Sequence, residues 1–146
     1  PAIQAVYGDL QYVRADDVNT VVRHWQSSPY KPEMLARGWM PAHPTLYVRR
    51  EWYQRIGGFD TSYRIAADYL SILQLFSQPN FKAVYLPQLF VKMRLGGASN
   101  RSLKNIVDKS REDYRALRAT GVGGAGALAS KNLRKIGQFL HGATRN

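Results

Sequence analysis

The chain has 146 residues, 45% of them hydrophobic, which fits one globular domain, or a substantial piece of one, with a real core to bury. Its 21 Lys and Arg against 10 Asp and Glu leave a net charge of +11, so polyanions, phosphorylated ligands and anionic membrane surfaces are the partners that charge favours. The absence of cysteine excludes disulfide scaffolds, thiolate chemistry and Cys-based zinc sites, and suits a reducing cytosol. No apolar run approaches the length of a membrane span, and the N-terminus lacks the basic start and apolar block of a signal peptide. The basic excess is uneven: residues 101–146 carry ten basic and three acidic side chains.

Taken in chain order, "AIQAVYGDLQYVR" is rich in Val, Ile and Tyr and predicts a strand, or two short ones meeting near Gly8. Alternation puts Tyr7, Asp9, Gln11 and Val13 on one face and Leu10 and Tyr12 on the other. Prolines 29 and 32 break "SSPYKPEML", after which a proline-punctuated loop leads into a short strand, Thr45 to Val48. "REWYQRIGG" predicts a brief helix ended by a left-handed Gly57 or Gly58. Asp60 or Thr61 then caps a turn before "AADYLSILQLFS", whose Tyr69, Ile72, Leu73 and Phe76 recur at the spacing of a buried helix.

"FKAVYLP" and "LFVKMRL" predict two strands separated by a Pro-Gln turn. "GGASNRS" leads to a further helix, capped by Ser99 or Asn100, with Leu103, Ile106, Val107, Ser110, Tyr114 and Leu117 on one stripe and an end at Gly121. Residues 121–130, "GVGGAGALAS", read as a glycine-rich link after a unit spanning 1–120. The last segment, 131–146, sets Leu133, Ile136, Phe139 and Leu140 against Lys131, Arg134 and Lys135, a basic amphipathic helix. Strands alternating with helices predict an α/β fold, a mixed sheet with flanking helices. No nucleotide-binding glycine loop is present.

Several residues have chemical and structural readings side by side. The pair Asp16–Asp17 could hold a divalent cation, but adjacent aspartates in a turn more often form an Asx turn or a cap. His43, between Ala42 and Pro44, either contacts a ligand or ties down its loop. Asp60 reads as scaffold for the turn after Gly58. "MRLGGASNRS" combines two glycines with a helix start, an arrangement that binds phosphate, with Arg94 and Arg101 nearby; a plain glycine turn and cap is the alternative. Trp25, Trp39 and Trp52 read as core or pocket wall.

The order of segments "VYGDLQYV", "GWMPAHPTLYVRREWYQRIGGFDTSYRIAADYLSILQLF" and "FKAVYLPQLFVKMRLGGAS" resembles the C-terminal half of family 2 glycosyltransferases. These are GT-A enzymes that use nucleotide-diphosphate sugars, and the likeness is to the bacterial branch that builds cell-surface polysaccharide. His43, Arg49, Arg50, Gly57, Gly58, Phe59, Asp60, Ala67, Asp68 and Tyr69 follow that branch's pattern in order, over residues 6–100. Leu70 and Ser71 depart from it, since the family often continues "ADYDL" with a second acid.

The resemblance implies a transferase with Asp68 as general base, inverting stereochemistry, and His43, Arg49, Tyr69, Arg94, Gly96, Gly97 and Ser99 about the substrates. Local sequence alone leaves Asp68 open as a simple helix cap. The resemblance also implies a divalent cation, Mg or Mn, on a donor half whose DxD motif would precede Pro1, so the chain is expected to be an acceptor-side fragment, incomplete for activity alone. No metal site is expected among these residues. Expected partners are a nucleotide-diphosphate sugar, a saccharide or lipid-linked acceptor, and a second copy or the missing half. The expected place is the cytoplasm or the periphery of the inner membrane. Two other classes stay open: a non-catalytic interaction module, and a nucleic-acid-binding protein motivated by charge and nine tyrosines.

Overall fold

The structure, a computed structural model, describes residues 2–96 and 103–142. It is an α/β fold built on a four-stranded sheet with flanking helices. The strands are β1 (Ala5–Val13), β2 (Val21–Trp25), β3 (Tyr47–Val48) and β4 (Ala83–Arg94). The helices are α1 (Arg50–Arg55), α2 (Ala67–Phe76), α3 (Leu103–Thr120) and α4 (Ala125–Gly142), with 3-10 turns at Pro32–Arg37 and His43–Thr45.

The sheet is mixed. Along its whole length β1 pairs with β4 in parallel; its opposite edge is shared by two antiparallel partners, β3 at Ala5 and Val6 and β2 from Leu10 to Val13. Between those partners the strand backbone at Gly8 is met by a side chain instead. The Thr45 hydroxyl, fully buried, accepts the Gly8 N–H at 3.4 Å and lies 3.0 Å from the Gly8 carbonyl. A buried backbone group left unpaired costs as much as a lost hydrogen bond, so this threonine completes the ladder where no strand reaches.

Five sequence expectations need correction. β4 is one strand and not two: against Tyr7, Asp9 and Leu10 it pairs Tyr85, Leu89 and Val91, so the surplus residues around Pro87 bulge out without ending the strand. Proline lacks only the N–H, and β4 pairs on one side alone among the described strands, so the ladder tolerates it. The bulge sits over Gly8, where a Cβ would lie 2.5 Å from the Phe90 ring and 2.7 Å from the Gln88 carbonyl. The predicted strand from Thr45 shortens to Tyr47–Val48 because Thr45 belongs to the 3-10 turn. The stripe of α3 is rotated, with Asp113, Ala116 and Leu117 buried while Val107 and Tyr114 are exposed. Helix α4 begins at Ala125, inside the expected glycine-rich link. Its expected polarity is inverted at two positions, Lys131 turned inward and Leu133 68% exposed, while Ala127 and Leu128 face the core and Arg134 is exposed.

The core forms around α2, apolar on nearly every side and accordingly buried from Tyr69 through Leu73 and at Leu75 and Phe76. Tyr7, Tyr30, Trp39 and Phe81 gather on Phe76, with ring centroids 4.9–6.3 Å apart, mostly edge to face. Trp52 adds to this through Phe81, 5.2 Å away. Each such side chain contributes about 1.5–3 kcal/mol by leaving water, and edge-to-face pairs contribute ~1 kcal/mol more. Helix α4 lies against the 3-10 turn at Pro32–Arg37, where Gly38 (φ 72°) leaves no room for a Cβ beside the Ala127 carbonyl and the Lys131 Cβ.

Candidate functional site

The approach to α2 is held from a distant helix. Glu112 on α3 accepts three successive backbone N–H groups, Arg64 at 3.0 Å and Ile65 and Ala66 at 2.8 Å each. Of these donors only the Ala66 N–H belongs to the helix start, so Glu112 braces the segment leading into α2, whose cap residue, Ala66, has no polar side chain. Partial burial raises the Glu112 carboxyl, but the three N–H groups outweigh it and leave the carboxyl below its ordinary value. Arg115, one turn on, donates to the Ser62 hydroxyl at 3.1 Å and covers the Tyr63 ring at 4.3 Å. Within the turn, Asp60 accepts the Ser62 N–H at 2.8 Å, the scaffold role its sequence suggests.

Asp68 is the second residue of α2, partly buried, and it does not cap the helix. Its Oδ1 accepts the N–H of the adjacent Tyr69 at 2.7 Å, and Oδ2 has no hydrogen-bond partner among the described residues. The carboxylate thus stands in the first turn, where the helix dipole favours negative charge, with one oxygen on the backbone and the other left over. Tyr69 points into the core, 1% exposed, and burial followed by the Asp113 charge pushes its phenol well up.

Below this turn lies a seam of charge between α2, α3 and α4. Asp113 is 2% exposed, and its Oδ2 lies 3.1 Å from Lys109 Nζ and 2.8 Å from Lys131 Nζ. Lys131 Nζ also sits 3.2 Å from the centroid of the Tyr69 ring, a cation over an aromatic face. Burial, with Lys109 adding to it, pushes the Lys131 ammonium down to about 7, against the pull of Asp113 and Asp68.

The other expected site residues are dispersed. His43 opens the 3-10 turn after Ala42, its ring edge-on to Phe59 at 5.8 Å, with Tyr53 stacked behind Phe59 at 5.3 Å. Its Nε2 is enclosed without a hydrogen-bond partner. Arg49 is exposed, and its Nε donates to the Ile3 carbonyl at 2.7 Å, tying the chain start to β3. Arg94 ends β4 opposite Val13, exposed, and Gly96 follows with φ 109°. Gly97 and Ser99 lie outside the described residues, as do Asn100 and Arg101. Tyr69 and Asp68 are therefore joined in one cluster, whereas Arg94 and Gly96 stand at the far end of the β1–β4 pair.

Asp17 accepts the Asn19 N–H at 2.9 Å and Asp16 pairs with Arg14 at 2.7 Å, so both acids of "ADD" serve their own turn. No group of three His, Asp or Glu side chains able to hold a metal ion occurs among the described residues. Trp39 and Trp52 are core, each 5% exposed, and Trp25 lies beside Arg23 on β2. Among the described residues no helix is long and apolar enough to cross a membrane.

Two groups of this cluster escape a sequence reading. Glu112 acts 46 residues away from the segment it braces, and no local pattern announces that. Lys131 shows one usable signal, a lysine four residues after an alanine that must fit against a glycine, but amphipathic spacing places it on the wrong face. Comparison with protein-family models, curated proteins and solved structures finds no match.

Proposed function

We propose that these residues are the acceptor side of a GT-A sugar transferase of family 2, in which Asp68 is the general base. One observation carries the reading: Asp68 stands partly exposed in the first turn of α2, its Oδ1 on the Tyr69 N–H and its Oδ2 without a hydrogen-bond partner among the described residues, on an approach segment that Glu112 from α3 braces. Segment order supports it, since "GGFD" forms the glycine turn and Asx turn, with Gly57 and Gly58 at φ 81° and 77°, and "AADY" opens the helix.

In this mechanism Asp68 takes the proton of an acceptor hydroxyl as its oxygen bonds to the anomeric carbon of a nucleotide-diphosphate sugar. The bond from that carbon to the diphosphate breaks, and the diphosphate leaves with the electron pair. Saccharides or lipid-linked saccharides of the cell surface are the acceptors that the resemblance implies. The divalent cation of such enzymes has no ligand set among the described residues, so the role given to Asp68 does not pass through it. The partly enclosed His43 against Phe59 is a second contact for the acceptor, an aromatic edge beside a polar ring.

The test is transfer from a panel of nucleotide-diphosphate sugars, measured as nucleoside diphosphate released, in protein carrying the complete catalytic domain. Asp68→Asn should abolish release while leaving the circular dichroism spectrum unchanged; retained transfer overturns the assignment.

One observation favours an interaction module as a second reading. Tyr47, Val84, Leu86, Leu89 and Met93 are 36–60% exposed along β3 and β4, an apolar surface beside an open strand edge. Light scattering on the isolated chain decides its weight, since a monodisperse monomer argues against it.

A further inference from the structure

We propose that Lys131 is a positioning residue for Asp68: its amino group, clamped on α4 between the Asp113 carboxylate and the Tyr69 ring, sets a titratable positive charge facing the turn that carries the base. The proposal rests on Asp68 being the base of the reading above, and it adds to that site a residue outside the segment on which the resemblance is carried.

The first argument is the direction in which α4 faces. A helix docked only for stability turns its leucines inward and lets its lysines reach water. Here Leu133 is 68% exposed, while the Lys131 side chain is 11% exposed. Bringing an ammonium out of water costs several kcal/mol, and a buried ion pair is at best weak in net stabilisation. The same seam would be served by an apolar side chain at 131, because Asp113 already has Lys109 at 3.1 Å. The arrangement therefore reads as placement of a charge.

The second argument is where that charge is placed. Lys131 Nζ is 3.2 Å from the centroid of the Tyr69 ring, and the Tyr69 backbone N–H is the donor held by Asp68 Oδ1 at 2.7 Å. Among the charges that bear on the Lys131 ammonium, Asp68 has the weakest pull, after Lys109 and Asp113. The groups gathered on Lys131 are thus Asp113 and Lys109 from α3 and Asp68 and Tyr69 from α2. Of these, Asp113 and Tyr69 are buried, which leaves Lys109 and Asp68 partly exposed, and Asp68 is the one carboxylate of that pair. Gly38, packed against the Lys131 Cβ, fixes the other end of the side chain, because any larger residue there would push α4 away.

The experiment is an NMR titration of the Lys131 side chain in the 146-residue protein, with and without Asp68→Asn. Charge coupling is reciprocal, so loss of the Asp68 charge should lower the Lys131 midpoint, by a few tenths of a pH unit or so for the weakest of the charges around it. Equal midpoints in the two proteins overturn the proposal, and Asp68→Asn, at a partly exposed position, leaves the fold intact for the comparison. In protein carrying the complete catalytic domain, Lys131→Met should lower kcat about 10- to 100-fold with KM unchanged, and Lys131→Arg should recover part of the loss. An unchanged kcat in folded Lys131→Met overturns the positioning role. Retained transfer in Asp68→Asn overturns the base assignment and the positioning role with it, even where the midpoint shifts.

Discussion

The two ends of α2 are built from opposite materials. At its C-terminal end, Phe76 lies among Tyr7, Tyr30, Trp39 and Phe81, and the Tyr30 hydroxyl donates to the Phe76 carbonyl at 3.0 Å. At its N-terminal end the neighbours are carboxylates and ammonium groups: Glu112, Asp113, Lys109 and Lys131. Each end is met by a side chain from elsewhere in the chain, a phenol on the last carbonyl in one case and a carboxylate on the entering segment in the other. The aromatic end supplies stability through area removed from water. The charged end contributes little net stability, and it is there that a partly exposed carboxylate is presented.

That contrast can be broken in order of effect. Asp68→Asn should cost transfer the whole contribution of a general base, about 10²- to 10⁴-fold in kcat, and leave the thermal midpoint unmoved. Phe76→Ala should do the converse, lowering stability by about 3–5 kcal/mol in urea unfolding as the aromatic cluster loses its centre. Glu112→Ala should sit between the two, costing ~1–2 kcal/mol for a partly exposed cap. Because the Glu112 carboxyl lies below its ordinary value when folded, its contribution is present above the unfolded range and lost as the pH falls. The difference between wild type and Glu112→Ala in melting experiments should therefore close in acid.

The remaining effect is a slope. Lys131 is pushed down to about 7 in the folded protein from an ordinary 10.5, so between those values the unfolded chain binds more protons. Stability should rise with pH across that interval, and Lys131→Met should flatten the rise. A Met variant with the same slope as wild type would mean that other groups titrate there.

Legibility in the sequence follows the same division. The aromatic end was readable because Tyr69, Ile72, Leu73 and Phe76 repeat at helical spacing and an apolar period is a local signal. The glycine turn at Gly57–Gly58 and the helix stop at Gly121 were readable too, each with φ between 68° and 81°. β2 was not, since "VVRHW" is short and its buried member is Arg23, whose stem and guanidinium lie over the Tyr12 and Trp25 rings. Pro87 looked like a turn because the bulge that accommodates it depends on a parallel neighbour with a glycine opposite. Asp113 and Lys131 defeat a polarity rule that assigns charge to solvent, because each is buried by the other's presence. Asp68 was visible from segment order, whereas the group that braces its approach segment, Glu112, has meaning only once α3 packs on α2.

That tertiary cap changes what opening of this region looks like. A helix start held by its own neighbours frays residue by residue, and its amides exchange with solvent independently of the rest of the fold. Here the amides of Arg64, Ile65 and Ala66 are all held by one carboxylate on α3, so they should exchange together and at the rate at which α3 lifts off α2. The turn that carries Asp68 is thus released as a unit with a helix 46 residues away, and its hydrogen-exchange protection reports on that docking.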